Sequence, residues 1–275
     1  IAKKSGPSMS QVYLIGGRRT PIGKTGGFLK ELLPEQLASV VLNELIAQYK
    51  VSPKDIDQVI LGNAVGPGGN IARVCALEAG WPYNIPALTV DSQCGSGLSA
   101  VQAGANQIIV GQADLIVAGG VESTSMAPRR QFNQTDPRFQ GETVYYERAP
   151  FSTPAVGDPD IGEAAEKLAA LLNISRKEMD ILALESHRRA SAAQEKGLLK
   201  DIISPVAVAD RMIDSDECIR KGMSLKLLER MKPVFVDGGT ITAGNTWVVI
   251  WHVASFLLKN SKKKLKTGII LQPSF

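Results

Sequence analysis

Cys94 stands in the run Asp91-Ser92-Gln93-Cys94-Gly95-Ser96-Gly97-Leu98, between a short apolar segment, Ala87 to Val90, and a helical pattern that begins at once. A thiol placed at the start of a helix faces unpaired backbone N–H groups and the positive end of the macrodipole, which favour thiolate over thiol. Gly95, Ser96 and Gly97 are small and leave room for a bulky reactant. The chemistry this permits is covalent catalysis by a sulfur nucleophile. An isolated cysteine is as commonly one more small buried residue, and the surrounding residues alone leave both readings open.

The other candidates are few. The chain has three cysteines, Cys75, Cys94 and Cys218, and two histidines, His187 and His252. An odd number of widely spaced cysteines without a CxxC pair suggests neither a disulfide framework nor a zinc site, and fits a reducing compartment. Gly23-Lys24-Thr25 after a Gly-rich segment resembles the end of a phosphate loop, but such a loop needs a glycine five residues before Gly23, where Arg18 stands.

The elements that would position Cys94 follow from apolar spacing. Val12 to Ile15, closed by Gly16 and Gly17, reads as a strand ending in a turn. Apolar residues at helical spacing predict an amphipathic helix over Glu35 to Tyr49, and another over Ile71 to Ala79 ended by Gly80. Asp57 to Leu61, Ala87 to Val90 and Leu115 to Ala118 read as buried strands, the last running into Gly119-Gly120. Leu98, Val101, Ala105, Ile108 and Ile109 form the stripe of the helix that follows Cys94. Strands alternating with helices indicate an α/β core. From Glu122 to about Gly157 no period is sustained and four prolines punctuate a polar stretch, too long for a simple connection. Helical patterns return at Ile161 to Leu172 and Ser175 to Lys196, where Ser175 and Glu178 fit a capping box.

With 275 residues, 44% of them hydrophobic and 21% charged, the chain has the balance of a globular protein, not of a disordered one. A net charge of +4 with no clustered basic face excludes nucleic acid as an expected partner. No run of about 18 apolar residues predicts a membrane span, and no secretory leader is legible, so the expected location is cytoplasmic. Residues 1–10 read as an expression leftover ahead of Met9, outside the fold.

The setting of Cys94 resembles the nucleophile turn of the thiolases, and other segments resemble that family in the same order. Arg19-Thr20-Pro21-Ile22-Gly23 with Gly26 is similar to its RTPxG segment, Gly62-Asn63-Ala64 to its GNV-type turn, and Gly119-Gly120-Val121-Glu122-Ser123 with Met126 to its GGxESMS signature. Leu184 to His187, Met231 to Phe235 and Thr240 to Asn245 resemble the RSH, LKPVF and TxTAGN blocks. The resemblance covers residues 11–246. It implies an acyl-CoA C-acyltransferase working in lipid metabolism, in which Cys94 takes an acyl group as a thioester and a second acyl-CoA attacks it, or the reverse thiolysis of a 3-ketoacyl-CoA. It further implies that Arg220 faces the adenine or phosphates of coenzyme A and that Ala243 and Gly244 lie along the pantetheine. Coenzyme A thioesters are substrates, and no cofactor or metal is expected. His187 is expected to be structural, and Cys218 is not expected to act as a second catalytic cysteine.

The family also uses a histidine from a GHPxGxSG segment and a cysteine from a CxGGG segment, and neither segment occurs in this sequence. After Thr246 the sequence turns to Trp247-Val248-Val249-Ile250-Trp251-His252 and continues without Asp or Glu and with five lysines. That shift suggests either a frameshifted or truncated gene product or a divergent end strand, with Val253 to Leu258 taking the place of a strand returning to the sheet. The expected fold is therefore α/β, a thiolase-type half with a mixed sheet flanked by helices and an inserted helical loop domain, the C-terminal half missing. Residues 11–121 form the α/β domain, 122–245 the loop domain and 246–275 an atypical tail. Two functions compete: an acyltransferase impaired by the missing groups, and a non-catalytic remnant that binds coenzyme A or only self-associates. A ketoacyl synthase fits less well, since the long loop domain and the Gly119 to Met126 block look like thiolase. A homo-oligomer is expected, most simply a homodimer formed through the strand at Ala87 to Val90.

Overall fold

The computed structural model describes residues 11–146, 148–246 and 250–260, with side chains in the last segment described from residue 254 onward. The expected leftover at 1–10, Trp247 to Val249 and the lysine run after Asn260 lie outside the described residues. In chain order the elements are β1 (Val12–Arg19), β2 (Gly23–Lys24), α1 (Pro34–Gln48), β3 (Gln58–Gly62), α2 (Ile71–Glu78), β4 (Ala87–Val90), α3 (Ser96–Ile109) and β5 (Leu115–Glu122). They continue with α4 (Ile161–Leu171), α5 (Arg176–Glu195), β6 (Val206–Val208), β7 (Arg211–Ile213), α6 (Leu225–Glu229) and β8 (Ile250–Asn260).

The chain divides into two compact units. The first holds the sheet, in the order β1-β8-β5-β3-β4, with β2 pairing to the start of β8. β3 runs parallel to both β4 and β5, whereas β8 is antiparallel to β5 and to β1, so the sheet is mixed. Successive side chains on a strand point to opposite faces, and here both faces are covered. Val59, Leu61, Leu115, Val117 and Leu257 pack into the larger core with α1 and α2, while Ile60, Ile116, Ala118 and Leu258 pack into the smaller one with Ala100 and Ile108 of α3. Continuous apolar runs in β3 and β5 are what such two-sided burial demands. Each fully buried Leu or Ile of this kind contributes about 1.5–3 kcal/mol.

The local rules that form the helices are visible at their ends. Pro34 opens α1, where the Gln36 side chain accepts the Leu33 N–H at 2.9 Å. Asn70 caps α2 through Arg73 N–H at 3.3 Å. The turn expected at Gly16-Gly17 does not form: β1 continues to Arg19, with an irregularity between Leu14 and Gly16. A Cβ at Gly16 would overlap the ring of Tyr49, and one at Gly17 would come within 2.5 Å of the Phe256 ring, so these glycines serve close packing inside a strand. Likewise β5 extends past Ala118 to Glu122, because Gly119 lies flat against the Ala254 carbonyl of β8.

The second unit comprises Pro128–Leu198 and the segment from Cys218. Its helices are α4, capped by Asp160 on Gly162 N–H at 2.8 Å, and α5, where Ser175 and Glu178 form a reciprocal capping box. The irregular stretch before α4 is tied by an Arg130–Tyr146 bridge, a Phe132–Tyr146 ring contact with centroids 4.6 Å apart, and the Arg148–Asp158 ion pair. Residues Leu199–Glu217 belong to the first unit, although they sit inside the 122–245 span expected for the loop domain. The reason is local: Arg19 N–H bonds Ile202 O, Ser204 N–H bonds Arg19 O, and Asp216 pairs with Arg19.

Candidate active site

Cys94 is the last of the four residues between the end of β4 and the N-cap of α3, Gly95, and its side chain is exposed. The turn is closed by Gly95 N–H on Ser92 O at 3.2 Å and Ser96 N–H on Gln93 O at 3.0 Å. Ser96 is buried, and its hydroxyl donates to Gln93 O at 2.5 Å while accepting Ser92 N–H at 2.9 Å. Asp91 holds Gln93 N–H at 2.9 Å. This net forces Gln93 to φ 56°, a left-handed conformation that costs a non-glycine residue about 1–2 kcal/mol. Cys94 is thereby held outward at the head of α3, within one residue of the helix cap.

The glycines around it are positioning devices. A Cβ on Gly62, the last residue of β3, would overlap the backbone of Ser96 and Gly97, and one on Gly120 would lie 3.2 Å from the Gly97 Cα. The first turn of α3 therefore rests directly on the ends of β3 and β5. Cys75 is the opposite case. It lies on the buried face of α2, in the core shared with α1, and burial, reinforced by the charge of Glu35, pushes its thiol up to about 12.

Two carboxylates near the sheet ends were not singled out by motif reading. Asp216 receives the Arg19 guanidinium at 2.7 and 2.9 Å and the Ile22 N–H at 2.8 Å. Glu217 accepts Lys24 N–H at 3.2 Å and Phe28 N–H at 3.1 Å and pairs with the Lys24 ammonium. The Arg19 to Phe28 loop, which resembles an RTPxG segment in sequence, is thus organised by acidic residues almost 200 positions later. The sequence signal was only their adjacency, Asp216-Glu217, in a polar stretch.

In the second unit the structure brings together three residues that the sequence had marked separately. The Arg220 guanidinium donates to Ala243 O at 2.7 Å, and Arg220 N–H donates to His187 Nδ1 at 3.3 Å. Partial burial, and then the neighbouring Arg220 charge, lower the His187 pKa, so the imidazole is held neutral as an acceptor. Gly244 N–H bonds the Thr242 hydroxyl at 3.2 Å, and Asn245 bridges Thr240 O and Asp180 at 3.0 and 2.9 Å. Glu166 of α4 accepts from Thr240 N–H, the Thr240 hydroxyl and Ile241 N–H at 2.7–2.9 Å. His252 falls on β8 opposite Glu122 in register, its side chain lying outside the described residues. Among the described residues no group of three metal-ligating side chains converges, and no helix is long and apolar enough to cross a membrane.

Comparison with known proteins bears on all of this. The thiolase N-terminal domain matches residues 12–259, a span that covers β8 as far as Lys259. A Staphylococcus epidermidis protein named as an acetyl-CoA C-acetyltransferase, VraB, is 41% identical over 239 residues, covering 86% of this chain and 62% of its own length. Its Staphylococcus aureus counterpart is 39% identical over 241 residues with the same coverage. The chain thus spans about 62% of the length of the curated relatives it matches. Among solved structures, a Bacillus anthracis acetyl-CoA acetyltransferase superposes with a TM-score of 0.85 at 32% identity, over 92% of this chain and 66% of its own. A human mitochondrial 3-ketoacyl-CoA thiolase in complex with CoA gives 0.83 at 31% identity, over 92% of this chain and 65% of its own. Matched across both units and through the returning strand, the chain belongs to the thiolase family, by its N-terminal domain.

Proposed function

We propose that the chain provides the acyl-accepting half of a thiolase-type acyl-CoA C-acyltransferase, with Cys94 as the nucleophile. The observation that carries this reading is an exposed thiol held outward by a strained turn at the head of a helix packed on glycines. Cys94 Sγ attacks the carbonyl carbon of an acyl-CoA, the C–S bond to coenzyme A breaks, and the thiol proton of Cys94 ends on the released coenzyme A sulfur. The α-carbon of a second acyl-CoA, having lost a proton, then attacks the thioester carbon, the bond to Cys94 Sγ breaks as the new C–C bond forms, and the lost proton ends on the released Cys94 sulfur. The reverse sequence cleaves a 3-ketoacyl-CoA. Covalent exchange of this kind has ping-pong kinetics.

Arg220, Ala243 and Gly244 form the proposed coenzyme A contact. Arg220 uses one nitrogen on Ala243 O and keeps further donors for a phosphate, the ligand its fork matches best. The relative solved with bound CoA supports a coenzyme A ligand. β4 is an edge of the sheet, and an edge strand suits a homodimer formed by strand pairing. Three cysteines outside any disulfide suit a reducing, cytoplasmic setting, and a role in lipid metabolism follows from the acyl-CoA chemistry.

Intact-mass measurement after incubation with acetyl-CoA tests the reading. One acetyl group on the wild-type chain and none on Cys94→Ala is the expected result. Absence of acetylation, with coenzyme A still bound, would leave only a binding role.

A further inference from the structure

We propose that Asn63 and Glu122 are positioning residues for Cys94, clamping together the three strand ends from which its turn emerges. The proposal rests on the reading of Cys94 as nucleophile. Asn63 follows the last residue of β3 and is 8% exposed. Its backbone N–H donates to Val90 O, at the end of β4, at 3.0 Å. Its carboxamide donates to Val121 O of β5 at 2.8 Å and to the Glu122 carboxylate at 3.0 Å. One side chain and its own N–H thus join the ends of β3, β4 and β5.

Glu122 completes the clamp from the last position of β5. Its other oxygen accepts Ala64 N–H at 2.9 Å and Val65 N–H at 3.0 Å. A single carboxylate therefore satisfies three donors of the segment leaving β3, and bonds of a charged acceptor are roughly twice as strong as neutral ones. The geometry links this clamp to the thiol by backbone alone. Val90 is one residue before Asp91, which opens the Cys94 turn, and Gly62, one residue before Asn63, bears on Ser96 and Gly97 at the head of α3. Loosening the three strand ends moves both the entry to and the exit from the turn. Both residues lie in segments that resemble family motifs, yet neither reaches the thiol itself. Their chemistry is that of scaffolding a reactive geometry, where small displacements of the reacting atom are costly.

The test uses Glu122→Gln and Asn63→Ala in the full chain. Cys94 acetylation by acetyl-CoA should slow roughly tenfold, while its half-saturating acetyl-CoA concentration and its labelling by iodoacetamide, which need no fixed orientation, change less than about twofold. Amide hydrogen exchange should quicken at residues 62–66 and 91–98 and not in α1 or α2. Unchanged acetylation and exchange in both variants would overturn the proposal. So would faster exchange spread evenly over the sheet, with acetylation falling only as the folded fraction falls, since that is the signature of plain stabilisation. A wild-type chain that labels at Cys94 but is never acetylated would defeat the functional reading, and the local exchange pattern would then decide the clamp by itself.

Discussion

The Cys94 turn and the Thr240 to Asn245 loop are both irregular segments, one in each unit, and they are built by opposite means. At Cys94 the main chain does the positioning: glycines let α3 settle onto the strand ends, and the left-handed Gln93 is held by short-range bonds. In the loop, side chains reach in from distant helices: Glu166 from α4 and Asp180 from α5 fix its amides. A site formed by backbone approach tolerates no added atom, whereas one formed by side chains depends on particular charges. The two regions should therefore fail differently.

The largest contrast lies between cysteines. Under limited iodoacetamide, Cys94 should be alkylated at least about a thousandfold faster than Cys75, whose thiol is both enclosed and raised to about 12. Peptide mapping reads the order directly. Labelling of Cys75 first would show that the α1–α2 layer is open and that Cys94 is not the reactive position.

Next in size is Gly62→Ala. The added Cβ would overlap the Ser96 and Gly97 backbone, which has no flexible end to yield, so a loss of about 3 kcal/mol or more is expected in denaturant unfolding. A neutral result would mean that α3 does not rest on β3 as described.

Glu166→Gln probes the side-chain-built loop and should cost about 1–3 kcal/mol, since partly buried amides lose a charged acceptor. Burial alone would raise the Glu166 pKa, but the N–H groups of Ile241 and Thr240 and the Thr240 hydroxyl outweigh it and lower the pKa. A carboxylate whose pKa is lower folded than unfolded contributes stability above the unfolded value and loses it as pH falls through the folded one. Wild type should therefore lose more stability than Glu166→Gln between neutral pH and pH below about 4. Parallel acid titrations of the two would argue that Glu166 is not the acceptor in solution.

The same contrast governs what the sequence reveals. The placement of Cys94 at the head of a helix, the strands at Ala87 to Val90 and Leu115 to Ala118, and the Ser175 capping box were legible because each depends on neighbours in sequence. Apolar period and small residues beside a thiol are local signals. Gly16 and Gly17 misled because a glycine required by Tyr49 and Phe256 looks the same as one required by a turn. Asp216 and Glu217 were invisible as organisers of the Arg19 to Phe28 loop, because the pairing spans most of the chain and leaves no periodic trace. The grouping of Leu199–Glu217 with the sheet was hidden for the same reason.

The smallest effect is expected at His187, where one weak bond meets a half-exposed ring. Partial burial and the Arg220 charge lower its pKa, so the folded chain holds the imidazole neutral, with Nδ1 accepting the Arg220 N–H at 3.3 Å. Protonation removes that acceptor and sets a second positive charge beside the guanidinium. Because the folded pKa lies below the unfolded value near 6.5, this contribution is intact above that pH and lost as pH falls through the folded value. Solvent screening keeps the stability change to a few tenths of a kcal/mol. Coenzyme A affinity should respond more clearly than stability, since Arg220 and Ala243 O are held in one geometry by the same pair of bonds. His187→Gln keeps a neutral acceptor and removes the titration. Its coenzyme A affinity, measured by calorimetry, should change less between pH 7.5 and 5.5 than that of wild type, the phosphate's own titration being common to both. Identical pH dependence in the two proteins would show that His187 does not hold Arg220, and that the second region owes its order to Glu166 and Asp180 alone.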